Sequence, residues 1–341
     1  MNIVSEFLLL SNLHFLHIHS YFVPRETIIV ICSTWNIFYL FQKYFRDFLL
    51  FVFTRERKSG IIVFINERKE DIMGTIFAVA NQKGGVGKST TVVNLAAYLG
   101  SRDYKVLCVD SDPQGNTTTG FGVKKKTVTA STYDVLIGKT RIQDAIIHTD
   151  FKNVSILPAT EDLAGCEIEL INFENRVNRL KMQLLTCKLD YDYIFIDCPP
   201  ALGTITINGL VACDKIIVPM LAEFYALEGL SQLVNTIKIV KSNYNPSLDI
   251  QGILFTMFDG RLNVANDVVS EVEKYFPGKV FNTKIPRNVR ISEAPSHGKP
   301  VMYYDKSSKG AEFYELLGHE LLGEAQELPK KKRRGIFSFS K

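Results

Sequence analysis

Residues 83–90 read Lys-Gly-Gly-Val-Gly-Lys-Ser-Thr, a glycine-rich run that ends in a lysine and two hydroxyls. The pattern is that of a phosphate-binding loop: a first position that is usually glycine, four residues, then Gly-Lys-Ser/Thr. Gln82 holds the first position here. Gly84, Gly85, Val86 and Gly87 form the body of the loop. Lys88 has the reach for β- and γ-phosphates, Ser89 offers a hydroxyl to Mg2+, and Thr90 closes the run. The apolar stretch 76–81 predicts a strand before the loop. Val92, Val93, Leu95, Ala96 and Leu99 fall at helical spacing and predict a helix over 91–100 after it. The loop therefore sits where a strand hands over to a helix N-terminus, and the backbone N–H groups and helix dipole there attract anions. A nucleoside triphosphate is the expected ligand.

Two further segments can complete such a site. Residues 105–110 read Lys-Val-Leu-Cys-Val-Asp and lead into Ser111-Asp112-Pro113-Gln114-Gly115; residues 193–197 read Tyr-Ile-Phe-Ile-Asp and lead into Cys198-Pro199-Pro200. Each is a buried-strand pattern ending at a carboxylate, and ligands of open parallel sheets bind at the C-terminal ends of the strands. Hydrolysis needs one carboxylate to hold hydrated Mg2+ and one group to orient the attacking water. Asp197 fits the first role and Asp112 the second. The plainer reading of either is a carboxylate that caps the next helix.

Together these stretches resemble the ParA/Soj partitioning ATPases, from about residue 73 to about residue 322. The resemblance is carried by residues 82–88, by Asp110-Ser111-Asp112-Pro113-Gln114-Gly115-Asn116 and by Asp197-Cys198-Pro199-Pro200. Tyr225-Ala226-Leu227-Glu228-Gly229-Leu230 and the run from Pro286 to Ser296 are not general features of nucleotide loops and carry it further. Lys83, near the start of the loop, resembles the extra lysine of the deviant Walker A ATPases; the loop's own chemistry would equally allow a solvated lysine. The resemblance implies that ATP with Mg2+ drives a homodimer, that the dimer binds double-stranded DNA without sequence preference, and that a ParB-type partner stimulates slow hydrolysis. It implies a cytoplasmic, nucleoid-associated protein and no membrane partner.

The resemblance also implies residue roles. Lys83 would contact the partner subunit's phosphates and Gly84 would lie at the close dimer contact. Lys83, Lys88 and Asp112 would be catalytic, and Ser89 and Asp197 would hold the metal. Pro286 and Asn288 would touch the adenine. Arg261 and Arg290 align with arginines implicated in DNA binding, and an ordinary surface ion pair is the alternative for each.

The framework that must position these groups is an α/β domain over residues 73–329. Strand-like runs recur at 76–81, 106–110, 154–158, 193–197, 215–219, 250–257 and 280–285, with helical patterns such as 226–241 and 265–276 between most of them. Such alternation predicts a P-loop NTPase, a doubly wound, mostly parallel sheet with helices on both faces. Six cysteines without a CxxC pair predict reduced core residues. The chain has a net charge of +4, of which residues 1–72 contribute +1 and residues 330–341 contribute +6, leaving −3 for the domain. A slightly acidic domain needs a local basic face to hold DNA, and dimerisation would double such a face.

Residues 1–72 do not belong to this picture. They are rich in Phe, Ile, Leu and Tyr, and are expected to be a low-order extension from a mis-assigned start. Codons for Lys69-Glu70-Asp71 can spell a ribosome-binding sequence just before Met73, the expected true start. A membrane-associated extension is the alternative, although its apolar runs are short for a span. The tail Lys330-Lys331-Lys332-Arg333-Arg334 reads as disordered, with DNA adhesion or an anionic lipid surface as further options. Rival functions are a membrane-cycling positioning ATPase of the MinD type and an electron-transfer reductase like the nitrogenase iron protein. The latter needs cysteines that bridge a cluster between subunits. A purely structural role does not fit an intact phosphate loop with two carboxylates.

Overall fold

The computed structural model describes residues 74–224 and 226–324, together with the backbone of five strands between residues 18 and 65. Met73, Tyr225 and the basic tail at 330–341 lie outside the described residues. The chain divides into two compact units, Met1–Asp71 and Ile72–Lys341.

In the first unit β1 (Ile18–Val23), β2 (Thr27–Cys32), β3 (Ile37–Gln42), β4 (Phe48–Thr54) and β5 (Ile61–Ile65) pair in chain order as an antiparallel meander. Their Ile, Val, Phe and Tyr content suits extended backbone.

The second unit is built on seven strands: β6 (Thr75–Val79), β7 (Val106–Asp110), β8 (Ile147–His148), β9 (Val154–Leu157), β10 (Tyr193–Asp197), β11 (Lys215–Leu221) and β12 (Asp249–Thr256). Their order across the sheet is β12-β11-β6-β10-β7-β9-β8, and every pair is parallel except β8 with β9. Alternate residues of one strand enter opposite cores. Ile76, Ala78, Leu107, Val109, Ile194 and Ile196 pack on one face; Phe77, Val79, Val106, Cys108 and Phe195 pack on the other. Helices Thr204–Ala212, Ala226–Asn243 and Asn263–Tyr275 cover the first face through Leu210, Leu233 and Val272. Helices Lys88–Ser101 and Lys309–Leu321 cover the second through Leu95, Leu99 and Leu317. Strands buried on both faces explain the near-continuous apolar runs of the sequence. The expected doubly wound α/β fold is what the chain adopts.

One expected strand is absent, and one was not expected. Residues 280–285 make only isolated bridges beside β12, at Ile253 with Val280 and at Phe258 with Pro286. The reason is tertiary: between the amides of Phe281 and Ile285, which do donate to β12, those of Asn282 and Thr283 donate to the Glu320 carboxylate of the C-terminal helix, at 2.6 and 2.9 Å. β8 is two residues long, too short for alternation to reveal.

The C-terminal helix seats on the helix that follows the phosphate loop with no spare room. A Cβ on Gly318 would fall 2.1 Å from Cδ1 of Tyr98. That ring is 4 % exposed and lies 5.5 Å from the His319 ring, and its hydroxyl accepts from Arg102, so it has nowhere to retreat. Gly318→Ala is expected to destabilise the domain by about 2 kcal/mol, read as a fall in Tm of roughly 6 °C. A Tm within about 1 °C of the parent would show that the two helices slide apart freely.

Candidate nucleotide site

β6 and β10 are neighbours, and so are β10 and β7, so one register fixes the site. Asp197 stands opposite Val79, the last residue before the loop segment, and on its other side opposite Asp110. The chain reaches β7 and β9 on one side of β10 and later returns to β11 on the far side of β6, which opens a crevice at the C-terminal strand ends.

The loop is pinned at its base. The Asn81 carboxamide donates to the Pro219 carbonyl at 2.7 Å and accepts from the Lys83 N–H at 3.0 Å. Gly85 and Gly87 have φ of 73° and 85°, a left-handed backbone that glycine adopts without strain. Thr256, at the end of β12, donates to the Val86 carbonyl at 2.8 Å and packs against Gly87. Gly84 has open space around its Cα, whereas Val86 is buried and serves as the loop's apolar anchor. Lys88, Ser89 and Thr90 form the first turn of the helix, whose amides have no partner within the helix and face the loop. The Lys88 ammonium folds back to the Lys83 carbonyl at 3.2 Å, so the side chain spans the mouth of the loop. Burial pulls its pKa down, and the charges of Asp197 and Asp112 partly restore it. A phosphate there would favour the charged form further.

Two carboxylates share the floor of the crevice. Asp197 Oδ2 accepts from the Thr117 hydroxyl at 2.7 Å, while its Oδ1 is buried with no hydrogen-bond partner. Asp110 Oδ2 accepts from both the N–H and the hydroxyl of Thr118 at 2.7 Å, and its Oδ1 accepts from the Asp112 N–H at 3.2 Å. Burial raises the pKa of Asp110 to about 6, against the pull of its Thr118 hydrogen bonds. Burial and then the Asp110 charge raise that of Asp197 to about 7, with the Ser89 and Thr117 hydroxyls opposing. A lone, buried carboxylate oxygen is costly unless something satisfies it. The donor set fits a hard cation: Asp197 Oδ1 and the neighbouring Ser89 hydroxyl are oxygen donors of the kind that would hold Mg2+. No group of three or more His, Cys, Asp or Glu suited to a metal occurs among the described residues.

Asp112 is 7 % exposed, and one of its oxygens accepts from the Gln114 N–H at 2.9 Å. That bond closes a turn ahead of the next helix, Asn116–Gly120, whose N-cap is Gly115 with no side-chain cap, so Asp112 does not cap it. Nor does Asp197 cap the helix that follows it, Thr204–Ala212, whose N-cap is Gly203; it meets the hydroxyls of Thr117 and Ser89.

The remaining expected residues lie outside this floor. Lys83 points away from its own loop and meets Glu223 at 2.6 Å, both side chains about half exposed. Pro286 bridges to Phe258 just beyond β12. Asn288 caps the helix Val289–Glu293, its side-chain oxygen accepting from Arg290 N–H at 2.9 Å and Ile291 N–H at 3.4 Å. Arg261 forms a two-pronged pair with Asp259 at 2.8 and 2.6 Å, and Arg290 meets Glu293 at 2.8 Å and Asp305 at 3.2 Å. Both arginines thus display the surface ion pairs weighed as their alternative.

Four participants escaped the sequence reading. Thr117 and Thr118 directly follow the Asp110–Asn116 run, and two adjacent hydroxyls there were a usable signal. Glu223 gave none, because its contact with Lys83 spans 140 residues. Thr256 reaches Val86 across 170.

The sequence matches the AAA domain family over residues 74–250. It is 52% identical over 249 residues to the sporulation initiation inhibitor protein Soj of Bacillus subtilis, covering 73% of this chain and 98% of that one. It is 48% identical over 270 residues to the chromosome partitioning protein ParA of Myxococcus xanthus, covering 79% and 95%. The chain belongs to the ParA/Soj family of partitioning ATPases. The ParA/Soj domain also superposes on cobyrinic acid a,c-diamide synthase of Mycobacterium smegmatis with bound ATP analog and magnesium. The TM-score is 0.66 at 36% identity, over 73% of this chain and 94% of the other. As a ParA/Soj ATPase the protein binds ATP with Mg2+ and hydrolyses it to ADP and phosphate. The cysteines of this ParA/Soj domain sit in the core: Cys166 and Cys198 are both fully buried, which leaves neither exposed to bridge a cluster between subunits. No helix among the described residues is long and apolar enough to cross a membrane.

Proposed function

We propose that ATP closes two copies of this chain into a sandwich dimer that binds double-stranded DNA without sequence preference, and that a ParB-type protein stimulates hydrolysis and release. The cycle would segregate a chromosome or plasmid, with the ATPase working on the nucleoid in the cytoplasm. Residues 73–329 are the ATPase domain of this reading, and the basic tail is an accessory to it.

The observation that carries the reading is Lys83. It is a half-exposed cation at the rim of a phosphate loop, turned outward onto Glu223 while Lys88 spans the loop's own mouth. A lysine so placed is available to phosphates on a facing copy, and open space at Gly84 admits a close approach. In this reading Lys88, with Gly85, Val86, Gly87 and Thr90, holds the phosphates, and Ser89 with Asp197 holds Mg2+. Asp112 orients the attacking water, and Pro286 and Asn288 border the adenine. Arg261 and Arg290 contact DNA after exchanging their carboxylate partners for phosphates; exposed pairs of this kind hold by only about 0–1 kcal/mol.

The decisive experiment is binding of the full chain to a random-sequence duplex with ATP and with ADP across a salt series. ATP-dependent binding is expected, its logarithm falling with log salt by roughly 0.9 per phosphate contacted. Absence of binding in both nucleotides, with ATP-dependent sedimentation on anionic vesicles, would replace this reading by the membrane-cycling one.

A further inference from the structure

We propose that Lys125 is a positioning residue for ATP hydrolysis, fixing the turn that presents Asp112; this rests on the assignment of Asp112 to the attacking water. Residues 124–126 are three consecutive lysines that neither the phosphate loop nor the carboxylate floor accounts for. The outer two are exposed and the middle one is half-buried, so they do not form a uniform solvated run. The Lys125 ammonium donates to the Gln114 carbonyl. Its stem lies across Gly115, since a Cβ there would fall 2.6 Å from Lys125 Cε and 3.1 Å from Nζ. Gly115 has φ of 60°, so the site suits a glycine twice over, by conformation and by the lysine against it.

The peptide unit joining Gln114 to Gly115 is therefore gripped at both ends. Its carbonyl accepts from Lys125, and its N–H donates to the Asp112 carbonyl at 2.8 Å. The preceding N–H, that of Gln114, donates to Asp112 Oδ1 at 2.9 Å. Gln114 joins this unit to the one before it, so fixing its carbonyl limits the backbone freedom of the residue whose N–H orients the Asp112 carboxylate. Among the described residues it is the Lys125 side chain that holds the carbonyl side of the unit.

The lysine is itself held in place. Thr127 N–H and hydroxyl both bond the Lys124 carbonyl, at 2.9 and 2.8 Å, shaping the turn Lys125–Thr127. Val123 N–H donates to the Thr118 carbonyl at 3.2 Å, tying that turn to the short helix Asn116–Gly120, whose threonines hold Asp110 and Asp197. A charged donor on a backbone carbonyl is among the stronger hydrogen bonds, and groups that hold catalytic geometry act on turnover more than on binding.

The test is steady-state ATP hydrolysis and nucleotide affinity for the full chain carrying Lys125→Met, Lys125→Arg or Lys126→Met, with Asp112→Ala measured beside them. Lys125→Met should lower kcat by about five- to tenfold with KM and the Kd for ATP unchanged. Lys125→Arg, which keeps the donor, should recover most of the loss, and Lys126→Met should behave as the parent. Three results would overturn the proposal: kcat of Lys125→Met within about twofold of the parent, a matching loss of ATP affinity, or an equal defect in Lys126→Met. An Asp112→Ala variant that still hydrolyses ATP removes the assignment on which the proposal rests. An inactive Asp112→Ala beside a normal Lys125→Met removes the lysine's role alone.

Discussion

Asp112→Ala is expected to lower ATP turnover by about 100-fold or more while leaving ATP affinity within roughly a factor of two. The carboxylate is nearly buried beside the mouth of the loop, and it is held by its own turn, not by the groups that grip phosphate. In the proposed function its removal takes away the group that orients the attacking water and leaves Lys88, Ser89 and Asp197 in place. Under the proposed cycle the variant should stay on DNA in ATP, with release no faster after the stimulating partner is added. Single-turnover hydrolysis together with filter binding to labelled duplex checks both statements. A variant that hydrolyses ATP near the parental rate would assign the water to another group.

Lys88→Ala is expected to reduce ATP affinity by about 100-fold, the loss of a charge-assisted contact in a partly desolvated site. The effect reaches beyond the phosphate. Lys88 offsets the negative charge of Asp197 and Asp112, and its ammonium closes the loop onto the Lys83 carbonyl. Without it the charged form of the buried Asp197 would lose a nearby cation, which in the proposed function would oppose Mg2+ binding there. Titration with a fluorescent ATP analogue, with and without Mg2+, measures the two losses separately. An affinity within about threefold of the parent would mean that the backbone amides alone hold the nucleotide. Far-ultraviolet circular dichroism of the variant guards against misfolding as the cause.

The site's polar floor was legible because its chemistry is local in the chain. The loop from Lys83 to Thr90 is contiguous, and Asp112 and Asp197 each follow an apolar run whose end points into the crevice. The strands read correctly where burial on both faces made them continuously apolar, as in β7 and β10. Residues 280–285 read Val-Phe-Asn-Thr-Lys-Ile, apolar only at their ends, and Glu320, 38 residues from Asn282, takes the N–H groups of Asn282 and Thr283. Glu223 and Thr256 were hidden for the same reason, since each acts on the loop from a distant strand end. Pattern in a sequence reports the near neighbours of a backbone, and these three contacts belong to the tertiary fold.

The Glu320 contact has a bearing on colloidal behaviour. An open sheet has two flanks, and a flank with a row of unsatisfied backbone groups recruits strands from other molecules. Here one flank is β8, only two residues long. On the other, residues 279–286 shield β12, and a negative carboxylate occupies the Asn282 and Thr283 amides of that shield. A charged side chain at such a position also repels an incoming flank of the same kind. Copies held at high local density would therefore meet through their side-chain surfaces, with strand-to-strand growth into fibrils suppressed at both flanks of this sheet.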